Sequence, residues 1–235
     1  MKKTTLAILA TLLFAAQGLW AQTIVETEAD LLNAVQNSQT VKLGKNITTA
    51  SQGGRLDINN GVTVTLDLNG HTLKRQMTAA DDGGQVIYIA DGGKLTITDS
   101  GTGGKITGGW ARQGGGIYVE AGGELTISGG TITGNRSDKR EGTDYGYGGG
   151  IENHGTLTIT GGVITGNTAG QFGGGIHNEG TLNITGGSIT DNTAGTYGGA
   201  IYSNSYRDKD DGRRLAGKPT AGGLYIHNGR KVMIK

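Results

Sequence analysis

Apolar residues along this chain alternate with polar ones in runs of four or five, and the runs return at regular intervals. Between residues 173 and 195 the sequence GGGIHNEGTLNITGGSITDNTAG holds three of them, GIHN, TLNIT and SITDN, each bounded by glycine or asparagine. Period-two alternation with β-branched partners predicts strands, one set of side chains facing inward and the other outward. Residues 148–170, GGGIENHGTLTITGGVITGNTAG, carry the same pattern 25 residues earlier. Ile151 thus falls on Ile176, Leu157 on Leu182, Ile159 on Ile184, Ile164 on Ile189 and Asn167 on Asn192. GGAI puts Ile201 in the same column. GGGIYVEAGGELTISGGTITGN at residues 114–135 is an earlier copy, followed by the insertion RSDKREGTDYGY. Looser copies, VIYIADGGKLTITDSGTGGKITGG and VTVTLDLNGHTL, lie upstream, and Leu66, Leu95, Leu125, Leu157 and Leu182 mark steps of 29, 30, 32 and 25 residues.

A period of this size signals a solenoid or a propeller. A propeller blade needs four strands and ~40–45 residues, whereas three short strands and three turns fill one repeat here. The expected fold is therefore all-β, a parallel β-helix of about six three-sided rungs over residues 41–205. Glycine serves the corners, where positive φ or close backbone approach is needed, with asparagine as an occasional substitute. Isoleucine and leucine stack on their own kind one rung away, ~4.8 Å along the coil. Ahead of the repeats, ETEADLLNAVQ (residues 26–36) sets Leu31, Leu32 and Val35 on one helical face, and Thr27 with Asp30 resembles a capping box. That helix, within residues 22–40, is expected to cover the open strand edges of the first rung.

Composition narrows the class. Glycine is 47 of 235 residues and proline only 1, without a Gly-X-Y period, so collagen is excluded. There is no cysteine, so packing and backbone pairing must hold the fold. Residues 1–21 read as a secretory signal peptide: Lys2 and Lys3, an apolar stretch from Leu6 to Ala16, then Gly18 and Ala21. The apolar run falls short of the ~20 residues of a membrane span. An exported mature chain is expected, with no integral membrane segment. Residues 22–205 carry 11 Lys and Arg against 17 Asp and Glu, while residues 206–235 carry 8 against 3. A mildly acidic body with a basic tail shows no nucleic-acid footprint.

The repeat body resembles the right-handed, single-stranded parallel β-helix group, the pectate-lyase-like superfamily. Its GG-x-I elements at Ile117, Ile151 and Ile176, with GGAI at Ile201, are similar to those of chlamydial polymorphic outer membrane proteins, although I-T-G-N at 164–167 and I-T-D-N at 189–192 lack the phenylalanine of their F-x-x-N. The tail, DGRRLAGKPTAGGLYIHNGRKVMIK (residues 211–235), resembles the closing segment of the C-terminal sorting domain of Bacteroidetes type IX secretion cargo. That resemblance implies recognition by secretion machinery through Gly212, Arg213, Arg214, Tyr225, Asn228, Gly229, Lys231 and Lys235, and a surface or secreted location, or a periplasmic one should the tail not sort. From the residues themselves, Asn228-Gly229 between two short apolar runs predicts a β-hairpin.

Candidate chemistry is sparse. Asp81, Asp82, Asp91 and Asp99 are the candidate carboxylates, but Asp81 and Asp82 are adjacent and would face opposite ways on a strand; a glycosidase needs two carboxyls about 5–10 Å apart across its substrate. His71 reads as structural, and His154 and His177 are expected on an outer face. Four histidines without cysteine predict no metal site, and no cofactor motif occurs. Tyr147, Phe172 and Tyr197 each precede a GG-x-I isoleucine by four residues and should stack along a corner, while Tyr118 and Tyr202 follow such an isoleucine and should point outward. Together they predict either a platform for sugar rings or a stack that stiffens the coil. The insertion from Arg136 to Tyr147 is the longest polar excursion and a second candidate for binding. The expected function is a non-catalytic, adhesin-like protein holding extracellular glycans or host ligands. The alternative is a small polysaccharide lyase or glycoside hydrolase acting on acidic polysaccharide, as fold resemblance implies.

Overall fold

A computed structural model describes residues 22–37, 39–138, 146–204, 224–227 and 232–234. The signal segment and tail residues Gly212, Arg213, Arg214, Asn228, Gly229, Lys231 and Lys235 lie outside the described residues, and of Tyr225 only the backbone is described.

Short strands assemble into four parallel sheets of eight, six, seven and four strands. The first sheet takes Gln39–Leu43, Thr63–Asp67, Lys94–Thr98, Glu124–Ile127, Thr156–Ile159 and Thr181–Ile184 in order; the second runs from Ile47–Thr49 to Ser188–Thr190; the third runs from Leu56–Ile58 to Ile201–Asn204. The chain visits first, second and third sheets in turn, then starts again one strand higher. That is a parallel β-helix of six turns, its core filled by the inward residue of each alternating pair. Ile87, Ile117, Ile151, Ile176 and Ile201 lie opposite one another along the third sheet and are all buried. Leu95, Leu125, Leu157 and Leu182 do the same in the first. Each such side chain contributes roughly 1.5–3 kcal/mol by leaving water.

Three details depart from expectation. The last four turns have four sides, because Trp110–Ala111, Arg136–Ser137, Thr168–Ala169 and Thr193–Ala194 form the fourth sheet between the second and third. Two residues are too few to display alternation, which hid this side in the sequence. Leu66 pairs with Ile97 and Val64 with Leu95, so the upstream repeat is displaced by two residues from the leucine markers. A shift of two keeps every side chain on its face. The two described tail strands do not pair with each other. Leu224–His227 pairs in parallel with Ile201–Asn204 in the third sheet, and Val232–Ile234 in parallel with Thr181–Ile184 in the first. The reason is legible in hindsight: GGLYIHNGRKVMI (222–234) matches GGIYVEAGGELTI (115–127) position by position without a gap. The tail strands are a repeat of the coil, and repeat geometry sets them in different sheets.

Turn ends in a solenoid draw stability from their neighbours alone. Truncation after Asn204 removes seven cross-strand pairings and is expected to cost ~2 kcal/mol, lowering the melting midpoint by about 4–8 °C. Thermal denaturation followed by circular dichroism checks this; an unchanged midpoint would show that the tail adds nothing to the coil.

At the other end, Thr23–Val25 pairs in parallel with the start of the coil, and the helix Glu28–Ala34 follows. Thr27 caps the helix, its hydroxyl oxygen accepting from the Asp30 N–H at 3.1 Å. Leu31, Ala34 and Val35 join the core, with Leu32 partly buried against it, so the helix closes the first turn as its pattern predicts.

The glycine that opens each GG-x-I element shows why the corner admits nothing larger. Gly173 has φ +65°, and a Cβ there would stand 2.4 Å from the Ile176 carbonyl oxygen. Asparagine takes a positive-φ corner at Asn69, φ +50°, as expected, and does further work inside the coil. Asn135, Asn167 and Asn192 are buried and form a side-chain ladder, Asn135 Nδ2 donating to Asn167 Oδ1 at 3.1 Å and Asn167 Nδ2 to Asn192 Oδ1 at 2.9 Å. The positive φ falls one residue earlier, on Gly134, Gly166 and Asp191. Spacing varies without disturbing register: Ile117 to Ile151 spans 34 residues and Ile151 to Ile176 spans 25, yet all three stay in file.

Candidate functional site

The outward positions of the sheets differ in chemistry. In the first sheet one outward file reads Thr65, Thr96, Thr126 and Thr158. In the third it reads Asp57, Tyr88, Tyr118, Glu152, His177 and Tyr202. Beside it runs a corner file of Gln113, Tyr147, Phe172 and Tyr197, each bridged to the next. The stacked rings are thus gathered on one face.

The corner rings stack as their spacing predicts, Tyr147 on Phe172 at 5.4 Å and Phe172 on Tyr197 at 5.8 Å. Tyr202 joins them, 4.6 Å from Phe172, and is only 9% exposed. Tyr118 does not; it stacks instead on Tyr88 at 5.5 Å and lies 5.3 Å from His154. Because rings one strand apart lie nearly parallel, they spend their faces on one another, and what the stacks turn outward is ring edge. The sequence reading missed Tyr88, which follows Ile87 just as Tyr118 follows Ile117, in a copy lacking the GG-x-I glycines.

Between the two ring groups lies an ion cluster. Glu152 is fully buried, and its Oε1 takes a 2.8 Å contact from His177 Nδ1 and a 2.9 Å ion-pair contact from His154 Nε2. His154 Nδ1 reaches Glu179 Oε2 at 3.2 Å. Burial alone would raise the Glu152 carboxyl, but the charge of His177 and the contacts from both imidazoles outweigh it and bring it below 4.5. For His154 burial works downward, and the carboxylates Glu152 and Glu179 outweigh it, raising the imidazole to about 10. His177 is buried beneath Tyr147, Phe172 and Tyr202 rather than decorating the surface, a correction to the outer-face expectation for this residue.

Next to Tyr88 and Tyr118 opens a cleft of about 380 Å³ lined by Arg55, Asp82, Gln85, Tyr88, Arg112, Gln113 and Tyr118, within the ~300–1,000 Å³ of ligand pockets. Arg55 lies 4.5 Å over the Tyr88 ring and pairs with Asp57 at 2.5 Å. Arg112 Nε meets Asp82 at 2.9 Å. Gln85 ties the floor together, its Nε2 donating to the carbonyls of Asp82 and Gln113. Beneath it Arg75 is buried, donating to the carbonyls of Ala50, Ser51 and Gln85. The Tyr88 hydroxyl donates to Glu120 at 2.7 Å; burial first, and then that bond, push its pKa up to about 12. None of the arginines was legible as a site, because they meet only when turns stack.

The other sequence candidates hold turns. Asp99 accepts from the N–H groups of Gly70 and Gly104, Asp81 from that of Gly83. The Asp91 N–H donates to Glu120 Oε2, and of these four carboxylates only Asp82 reaches the cleft. Among the described residues no group of three or more His, Asp and Glu is placed to hold a metal ion, and no helix is long and apolar enough to cross a membrane. Comparison with protein-family models, curated proteins and solved structures finds no match to this chain.

Proposed function

We propose that this is an exported, non-catalytic, adhesin-like β-helix protein that holds extracellular glycans against the outward face of its third sheet. The observation that carries the reading is the cleft beside Tyr88 and Tyr118, where guanidinium, carboxylate, amide and phenol groups converge on a rigid wall. Such a mixture of donors and acceptors suits polyhydroxylated ligands. The signal segment supports export. The GG-x-I repeats support kinship with the pectate-lyase-like and polymorphic outer membrane proteins, and the basic tail supports delivery to the surface by type IX machinery.

The mature protein, residues 22–235, is to be screened against host glycans and pectins with and without calcium. Binding without turnover is the expected result. Turnover would instead establish a lyase or hydrolase, and a blank array would end the glycan reading. Localisation is tested separately by fractionating cells that carry Arg213→Ala with Arg214→Ala, which leaves both tail strands in place. Loss of surface protein is expected, and an unchanged distribution would remove the sorting role.

A further inference from the structure

Resting on that reading, we infer that the cleft is a subsite for an uncharged sugar ring, gripped through a vicinal diol by Arg112 and Asp82 and flanked by Gln113 and Tyr118. The two guanidinium groups that line the cleft, Arg55 and Arg112, are each paired with a carboxylate, Asp57 and Asp82. Cations and anions balance. Each surface arginine already has a carboxylate at contact distance, so a uronate entering here would meet Asp82 and Asp57 as like charges rather than an unpaired guanidinium.

What the cleft offers instead is a set of polar atoms with no other partner among the described residues. Arg112 Nε stands 2.9 Å from Asp82 without a hydrogen bond to it, and among the described residues the guanidinium has no hydrogen-bond partner, leaving its terminal N–H groups for an incoming oxygen. Asp82 uses one carboxylate oxygen on Arg112, and its side chain is 74% exposed. A guanidinium beside a carboxylate presents donors next to an acceptor. Two neighbouring hydroxyls match that pattern, one accepting from Arg112 while the other donates to Asp82. The Gln113 amide and the Tyr118 hydroxyl, both able to donate and accept, complete the lining. Tyr118 is fixed by its stack on Tyr88, and the Gln113 backbone is bridged to Tyr147, so both stand ready before a ligand arrives.

The test uses residues 22–235 with neutral gluco-, manno- and galacto-oligosaccharides and with uronate oligomers, read by titration calorimetry. Tyr118→Phe removes one hydroxyl and keeps the stack; Asp82→Asn removes a charge from an exposed side chain. Thermal melts confirm that both variants stay folded. A neutral oligosaccharide is expected to bind, to lose about tenfold in affinity in Asp82→Asn and about threefold in Tyr118→Phe, and to bind equally at about 0.05 M and about 0.5 M salt. Glycan binding untouched by either variant would overturn the diol grip of Asp82 and Tyr118 while leaving glycan binding by the third-sheet face standing. Binding confined to uronates and abolished by salt would overturn the uncharged class. A protein that binds no glycan would end both.

Discussion

Asn167→Ala is expected to lower stability by about 3–5 kcal/mol, which for a chain of this size moves the melting midpoint by roughly 10 °C. The cost comes from the partners left behind. Asn167 Oδ1 accepts from both the backbone N–H and the side chain of Asn135, while its Nδ2 donates to Ile132 O, Thr165 O and Asn192 Oδ1. Alanine orphans a buried N–H on Asn135, at about 1–3 kcal/mol, breaks the side-chain links to Asn135 and Asn192, and adds a small void. Thr190→Ala in the next turn, where the hydroxyl is exposed, is the control and should stay within about 0.5 kcal/mol. Equal melts for the two variants would show that the asparagine ladder is not what ties these turns together.

Glu152→Gln is expected to cost ~3 kcal/mol near about pH 6, and the gap from the parent protein should narrow toward about pH 10. Glutamine keeps the shape but leaves His177 and His154 facing an amide within a buried cluster. The direction with pH follows from the two groups. His154, raised to about 10, stabilises the fold fully below its ordinary 6.5, and that stabilisation fades as pH climbs through 10. Glu152, held below 4.5, stabilises above that value and loses its effect only in acid. Both contributions are whole between 4.5 and 6.5, so the variant should suffer most there. Melting curves from acid to alkaline pH decide the matter, and a constant gap across that range would mean that charge is irrelevant at this position.

What the sequence disclosed depended on whether a feature repeats. Ile151, Ile176 and Ile201 repeat, and they stand in one file. The capping of the helix by Thr27 was legible because it is local. The fourth sheet was not, since Thr168–Ala169 and Thr193–Ala194 are too short to alternate. Tail strands Leu224–His227 and Val232–Ile234 were hidden by a competing local signal, the Asn-Gly turn, although their match to residues 115–127 was available to a column-wise comparison. The site was least visible. Arg55 and Arg112 are 57 positions apart and sit in no motif; they meet because stacking brings different turns to one wall. Glu152 carries no motif of its own; its role follows from the contacts of His154 and His177, which stacking brings to it.

The uneven spacing between Ile117, Ile151 and Ile176 has a practical consequence. Each turn takes its alignment from the ones above and below, so the longer interval between Ile117 and Ile151 leaves their file in register. Interval length is therefore a design variable of this coil. Foreign segments could be exchanged between Asp138 and Gly146 to give the same wall new recognition properties, much as interchangeable bits fit one tool handle, while the interior file goes untouched.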